Sequence, residues 1–162
     1  MSRVKLNDLD PAFKERIAQQ PGGEGIRACF ACKACTAACP IETIDERYDP
    51  RKIIRMAVLG MEKEVLEGDF IWLCSSCYGC HEVCPQNFRF TEVMFAIKNL
   101  AVAEACVPPG LTAQRTLLRE HGRLYEITEF ENEKREKLGL PRIVEHHEDY
   151  DMLLKPEQEE LP

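Results

Sequence analysis

The chain has 162 residues, 44% of them hydrophobic, and a formal charge of −7. That length suits one domain with extensions. The acidic balance argues against nucleic acid, whose phosphates call for a basic surface, and no apolar run approaches the roughly 18 residues of a membrane span. Residues 1–9 lack the apolar core of a signal peptide, so the expectation is a cytoplasmic protein in reducing surroundings.

In chain order, Asp10 caps a first predicted helix with Pro11 at its first position, and Pro21-Gly22-Gly23 ends it. A cysteine run follows: Cys29-x2-Cys32-x2-Cys35-x3-Cys39-Pro40. Asp49-Pro50 repeats the start signal. The helix over 51–59 stops at Gly60, and Ile53, Ile54, Ala57 and Val58 form the stripe of a half-buried helix. A short helix over 62–67 closes at Gly68. A second run of the same shape is Cys74-x2-Cys77-x2-Cys80-x3-Cys84-Pro85. Thr91 caps a longer helix, 92 to about 105, with Val93, Ala96, Ile97 and Leu100 on one face. Thr112 opens another, ending at Gly122. Thr128 opens the last, which closes at Gly139-Leu140-Pro141. No two alternating stretches are joined by hairpin turn chemistry, so the predicted fold class is all-α. Residues 143–162 set seven carboxylates against one lysine. They read as a solvated acidic tail, or as a partner-binding arm in which Ile143, Val144, Tyr150, Met152, Leu153 and Leu154 become buried.

The two runs use eight of the nine cysteines. Their spacing is the bacterial ferredoxin-type ligand pattern, and each copy holds one [4Fe–4S] cluster. The fourth cysteine of such a run normally ligates the other cluster. This assigns Cys29, Cys32, Cys35 and Cys84 to cluster 1, and Cys74, Cys77, Cys80 and Cys39 to cluster 2. A zinc ribbon needs two CxxC pairs rather than four cysteines ending in proline, and a disulfide framework belongs to small secreted chains. With two oxidised clusters on eight thiolates the charge falls to about −11, which allows docking on a basic partner surface.

Lys33, inside the first run, would stabilise the reduced form of its cluster. Tyr78, Gly79 and His81 lie inside the second, where Gly79 would let backbone N–H groups approach a sulfide. His81 reads as a surface histidine. A protonated imidazole beside a cluster would instead couple electron to proton movement. Phe30, Trp72, Phe88 and Phe90 are expected to form a dry wall round the clusters, and Cys106 to be a buried, inert thiol. The chain has no Cys-Cys dipeptide, no CxxxCxxC, no GxGxxG and no Walker-type loop. Clusters closed by four thiolates carry electrons but bind no substrate, so no catalytic residue and no small-molecule substrate of its own is expected.

Three stretches carry a resemblance: Ala28-Cys29-Phe30-Ala31-Cys32-Lys33-Ala34-Cys35-Thr36-Ala37-Ala38-Cys39-Pro40, Tyr48-Asp49-Pro50-Arg51-Lys52-Ile53-Ile54-Arg55 and Ile71-Trp72-Leu73-Cys74-Ser75-Ser76-Cys77-Tyr78-Gly79-Cys80. Together with Lys98-Asn99-Leu100-Ala101 and the segment 132–140, they resemble the C subunit of heterodisulfide reductase over most of residues 25–141. The cysteine runs are shared with many dicluster subunits; the second stretch and the Ile-Trp-Leu-Cys segment narrow the match.

The resemblance implies an α-helical ferredoxin-type dicluster domain at 25–107. A helical extension at 1–24 precedes it; a second at 108–142 and the acidic tail at 143–162 follow. It implies an electron relay between a flavin- and iron–sulfur-bearing A-type subunit and a B-type subunit whose CCG-type clusters carry out disulfide chemistry, with the eight named cysteines as ligands. Relatives in sulfur-oxidising bacteria run a similar assembly in the oxidative direction. Other readings are the iron–sulfur subunit of a quinone-linked dehydrogenase, which usually brings a plant-type ferredoxin domain or a membrane anchor, a freely diffusing ferredoxin, and a zinc-binding structural protein.

Overall fold

Helices and 3-10 turns supply all the regular structure of the computed structural model among its described residues, 5–144 with Asp149 and Met152; no strand occurs among them. The fold class is therefore all-α, as expected. The chain divides into two units, Met1–Cys106 and Val107–Pro162.

The first unit holds α1 (Phe13–Gln19), α2 (Ala34–Ala37), α3 (Pro50–Val58), α4 (Glu62–Leu66), α5 (Gly79–Glu82) and α6 (Phe90–Ala103). α1 starts two residues later than Pro11. The Asp10 carboxylate accepts the Ala12 N–H at 2.8 Å and its carbonyl accepts that of Phe13, so Asp10 and Pro11 form the turn leading in. Gly23 lies against the far end of α1: a Cβ there would stand 1.8 Å from the Ile17 carbonyl oxygen, so only glycine fits. α3 carries its expected cap, with the Asp49 side chain accepting the Lys52 N–H at 3.0 Å and Pro50 at the first position. α6 begins at Phe90, which places Thr91 in the first turn, buried, rather than at the cap. Phe13, Ile17, Ile26, Ile53, Ile71 and Ile97 are among the fully buried side chains of the core, each contributing about 1.5–3 kcal/mol of burial.

This unit is an internal repeat with an offset of 45 positions. A 3-10 turn, Glu24–Ala28 or Asp69–Leu73, buries one isoleucine, Ile26 or Ile71. A cysteine run with a one-turn helix follows, then a connecting segment, then a helix, α3 or α6. Matched residues share backbone geometry: Ala31 and Ser76 have φ of 62° and 54°, and Lys33 and Tyr78 have φ of 76° and 61°. Left-handed conformations cost non-glycine residues about 1–3 kcal/mol each. Here they wrap each CxxCxxC segment round a hollow.

The second unit contains α7 (Pro109–His121) and α8 (Glu129–Lys137). α7 begins three residues before Thr112 because Pro109, with φ already set for a helix, takes the first position. It ends as expected at the left-handed Gly122. Thr128 and Glu131 form a capping box at α8. Asn132, 2% exposed, exchanges two hydrogen bonds with the backbone of Ile143, at 3.0 and 2.9 Å. Arg142 pairs with Glu136 at 2.9 Å and with Glu129. The expected acidic tail at 143–162 lies outside the described residues except for Ile143, Val144, Asp149 and Met152.

Candidate iron–sulfur centre

Two hollows open beside the cysteine runs. The first is lined by Cys29, Cys32 and Cys35, by Cys84 from the end of the other run, and by Cys80. The second is lined by Cys74, Cys77 and Cys80 and by Cys39 from the end of the first run. Each run's last cysteine thus lines the hollow of the other run. Cys80 and Phe90 wall both, so the hollows adjoin. All nine cysteines are free thiols. Among the described residues no three His, Cys, Asp or Glu side chains converge on a point that would bind a single metal ion. Four cysteines spread round a hollow suit a polynuclear iron–sulfur cluster.

The sulfurs have hydrogen-bonding neighbours. The Phe88 N–H donates to Cys84 Sγ at 3.3 Å, and Thr91 Oγ1 lies 3.4 Å from Cys80 Sγ. Tyr48, 1% exposed, lines the second hollow. Burial, then its hydrogen bond with Cys74, pushes its phenol well above the usual range. Burial, reinforced by Cys29, pushes the Cys35 thiol up to about 11, and burial also raises that of Cys80. Such thiols ionise when metal displaces the proton. One buried polar atom fits the same picture. Arg51 lines the first hollow, and its Nε is buried without a hydrogen-bond partner. A cluster with negatively charged sulfurs in this hollow would supply what that donor lacks.

Residues 18–88 match the family model described as a 4Fe-4S dicluster domain. The iron-sulfur C 2 subunit of the CoB–CoM heterodisulfide reductase of Methanocaldococcus jannaschii is 30% identical over 148 residues, covering 87% of this chain and 78% of that protein. This chain belongs to the C-subunit family of heterodisulfide reductases. It is also similar to the C subunit of the ferredoxin:CoB-CoM heterodisulfide reductase of Methanosarcina mazei, 33% identical over 79% of this chain and 78% of that one. The C subunit of the H(2):CoB-CoM heterodisulfide,ferredoxin reductase of Methanothermobacter thermautotrophicus is 29% identical over 86% and 75%. The cofactors of this C-subunit homologue are two [4Fe–4S] clusters. No helix among the described residues is long and apolar enough to cross a membrane.

Two polar residues of this heterodisulfide reductase homologue work in a way its sequence did not reveal. Thr36 Oγ1 donates to Asp49 Oδ1 at 2.6 Å and accepts the Arg51 N–H at 3.2 Å. At the matching position, 45 residues on, His81 Nε2 accepts the Thr91 N–H at 3.3 Å. Each accepts the second backbone N–H of the helix after its own run. His81 is half-buried, and the contact of its Nε2 with the Thr91 N–H ties it to α6.

The expected dry wall is only partly present. Phe88 and Phe90 are buried and line the first hollow, whereas Phe30 lines it while 59% exposed. Trp72 lines neither hollow; Lys98 Nζ sits 5.8 Å from its ring centroid. Burial holds the Lys98 amine below its ordinary range, although Cys74 works against that. Lys33 is exposed at the edge of the first hollow, and Tyr78 lines the second. A Cβ at Gly79 would meet Cys77 Sγ at 3.8 Å, an ordinary contact, so that glycine is not forced by crowding. Cys106 is half-buried rather than buried, lines neither hollow, and faces the Glu104 carbonyl at 3.5 Å.

Proposed function

We propose that this chain is the electron-relay subunit of a cytoplasmic heterodisulfide-reductase-type complex. It would pass electrons between a flavin- and iron–sulfur-bearing A-type subunit and a catalytic B-type subunit with CCG-type clusters. The observation that carries this reading is the pair of adjoining hollows, each walled by three cysteines of one run and the last cysteine of the other. When bound, the [4Fe–4S] clusters supply one-electron uptake and release. Cys29, Cys32, Cys35 and Cys84 would hold one, and Cys74, Cys77, Cys80 and Cys39 the other. Four thiolates per cluster leave no position for a substrate, so chemistry on a disulfide falls to a partner.

The side chains suit a relay. Cys80 and Phe90 wall both hollows, which keeps the separation between centres short. Cys32 and Cys77 are the exposed cysteines, one in each hollow, and give each an edge that a partner can approach. Phe30 and Tyr78, 59% and 46% exposed, flank those edges with apolar surface. In this reading the dicluster domain spans 25–107, with 1–24 and 108–142 as extensions. Partners would also engage surfaces outside the runs, including α8 and the 143–162 segment.

The test is turnover of a disulfide substrate with a low-potential dye. The purified chain should take up electrons and reduce no disulfide alone. Turnover should appear when a B-type partner is added. Substantial turnover by the single chain would contradict the relay.

A further inference from the structure

We infer that Arg51 is the charged hydrogen-bond donor to the cluster in the first hollow, and that it sets the two clusters at different potentials by favouring the reduced form of this one. The inference rests on the reading that Cys29, Cys32, Cys35 and Cys84 hold a single cluster.

Four observations carry it. Arg51 lines the hollow that these cysteines line. Its Nε is buried and has no partner, the only such side-chain nitrogen or oxygen found among the described residues. A buried donor of this kind is expensive to leave unpaired, more so on a charged group. Its backbone is fixed at the second position of α3, where its N–H is accepted by Thr36 and the preceding turn is capped by Asp49. Finally, the repeat supplies an internal control. The second position of α6 is Thr91, whose hydroxyl lies 3.4 Å from Cys80 Sγ. The same place in the two halves therefore carries a permanent cation that lines the first hollow in one and a neutral hydroxyl beside a cysteine sulfur of the second in the other. A guanidinium keeps its charge at every relevant pH. Reduction adds one negative charge to the cluster, so a fixed cation at the sulfurs stabilises the reduced state more than the oxidised one. Of the nearby lysines, Lys33 also lines the first hollow but is exposed to solvent, and Lys98 lines neither hollow.

The experiment is a redox titration of the anaerobically purified holo chain followed by paramagnetic resonance, with iron content measured on each sample. Cys32→Ser and Cys77→Ser mark which signal belongs to which hollow. Arg51→Met should lower the reduced-to-oxidised ratio of the Cys32-marked signal about tenfold at fixed potential, about 59 mV for one electron. The Cys77-marked signal should stay in place. Arg51→Lys, which keeps a cation without the guanidinium fork, should give a smaller shift in the same direction. If Arg51→Met loses iron, Arg51→Lys carries the test alone. With iron retained, an unmoved Cys32-marked midpoint, or a shift confined to the Cys77-marked signal, overturns the inference. If Cys84→Ser instead perturbs the Cys77-marked signal, the ligand reading fails while the effect of Arg51 is still judged against the Cys32 signal.

Discussion

Thr36→Val removes one hydroxyl and keeps the side-chain volume. Thr36 is 1% exposed, so the loss falls on a buried site. The hydroxyl donates to the Asp49 carboxylate at 2.6 Å, and a hydrogen bond to a charged group is worth about 1.5–3 kcal/mol. It also accepts the Arg51 N–H at 3.2 Å, and stranding that donor costs about 1–3 kcal/mol. Both contacts share one atom and do not add fully, so the expected destabilisation is about 3 kcal/mol. The loss falls on the link between the first cysteine run and α3. The assay is chelator-driven iron release together with thermal loss of cluster absorbance. A domain of this size loses about 4–8 °C per kcal/mol, so the midpoint should fall by on the order of 10 °C or more.

The pH dependence gives a second handle. Burial works to raise the Asp49 carboxyl, but hydrogen bonds from Thr36 and the Lys52 N–H outweigh it, and the net shift is downward. A carboxyl lowered by folding contributes stability above its unfolded value, about 3.9, and that contribution is lost as pH falls through the folded value. In Thr36→Val the folded value climbs back toward the ordinary one. The gap between wild type and variant should then be full near neutrality and shrink below about pH 4. A variant within about 0.5 kcal/mol of wild type at pH 7, or a gap that widens in acid, would refute this reasoning.

Other variants probe the limits of the site and of the fold. Cys106→Ala should keep about eight irons and eight sulfides per chain and cost at most about 2 kcal/mol; chemical iron and sulfide analysis checks it, and loss of four irons would show that the ligand set is misread. Gly23→Ala drives a Cβ to 1.8 Å from the Ile17 carbonyl oxygen and should cost about 3 kcal/mol or more in a thermal melt, whereas Gly110→Ala meets nothing within 4 Å and should be neutral or slightly stabilising.

What the sequence made legible was local chemistry. The cysteine spacing, the Asp49-Pro50 start of α3, the Thr128 cap and the Gly122 stop each depend on residues a few positions apart. What it hid depends on distant pairing. Lys33 and Tyr78 carry no intrinsic preference for the left-handed region; wrapping a run round a hollow imposes it. Thr91 looked like a cap, yet it takes the second helical position, where its hydroxyl meets Cys80 and its N–H meets His81. Tyr48 and Arg51 stood in a recognisable stretch, but nothing in a linear chain says that one serves the second hollow and the other the first. The exposure of Phe30 and the position of Trp72 outside both hollows likewise follow from how the runs pack, not from hydrophobicity.

The central claim is that two clusters share their ligands across the repeat, and cluster-specific paramagnetic spectra of serine variants test it most directly. Cys39→Ser should perturb the same signal as Cys77→Ser, and Cys84→Ser the same signal as Cys32→Ser. If Cys39→Ser instead perturbs the signal marked by Cys32→Ser, each run closes its own cluster and the crossed arrangement is wrong.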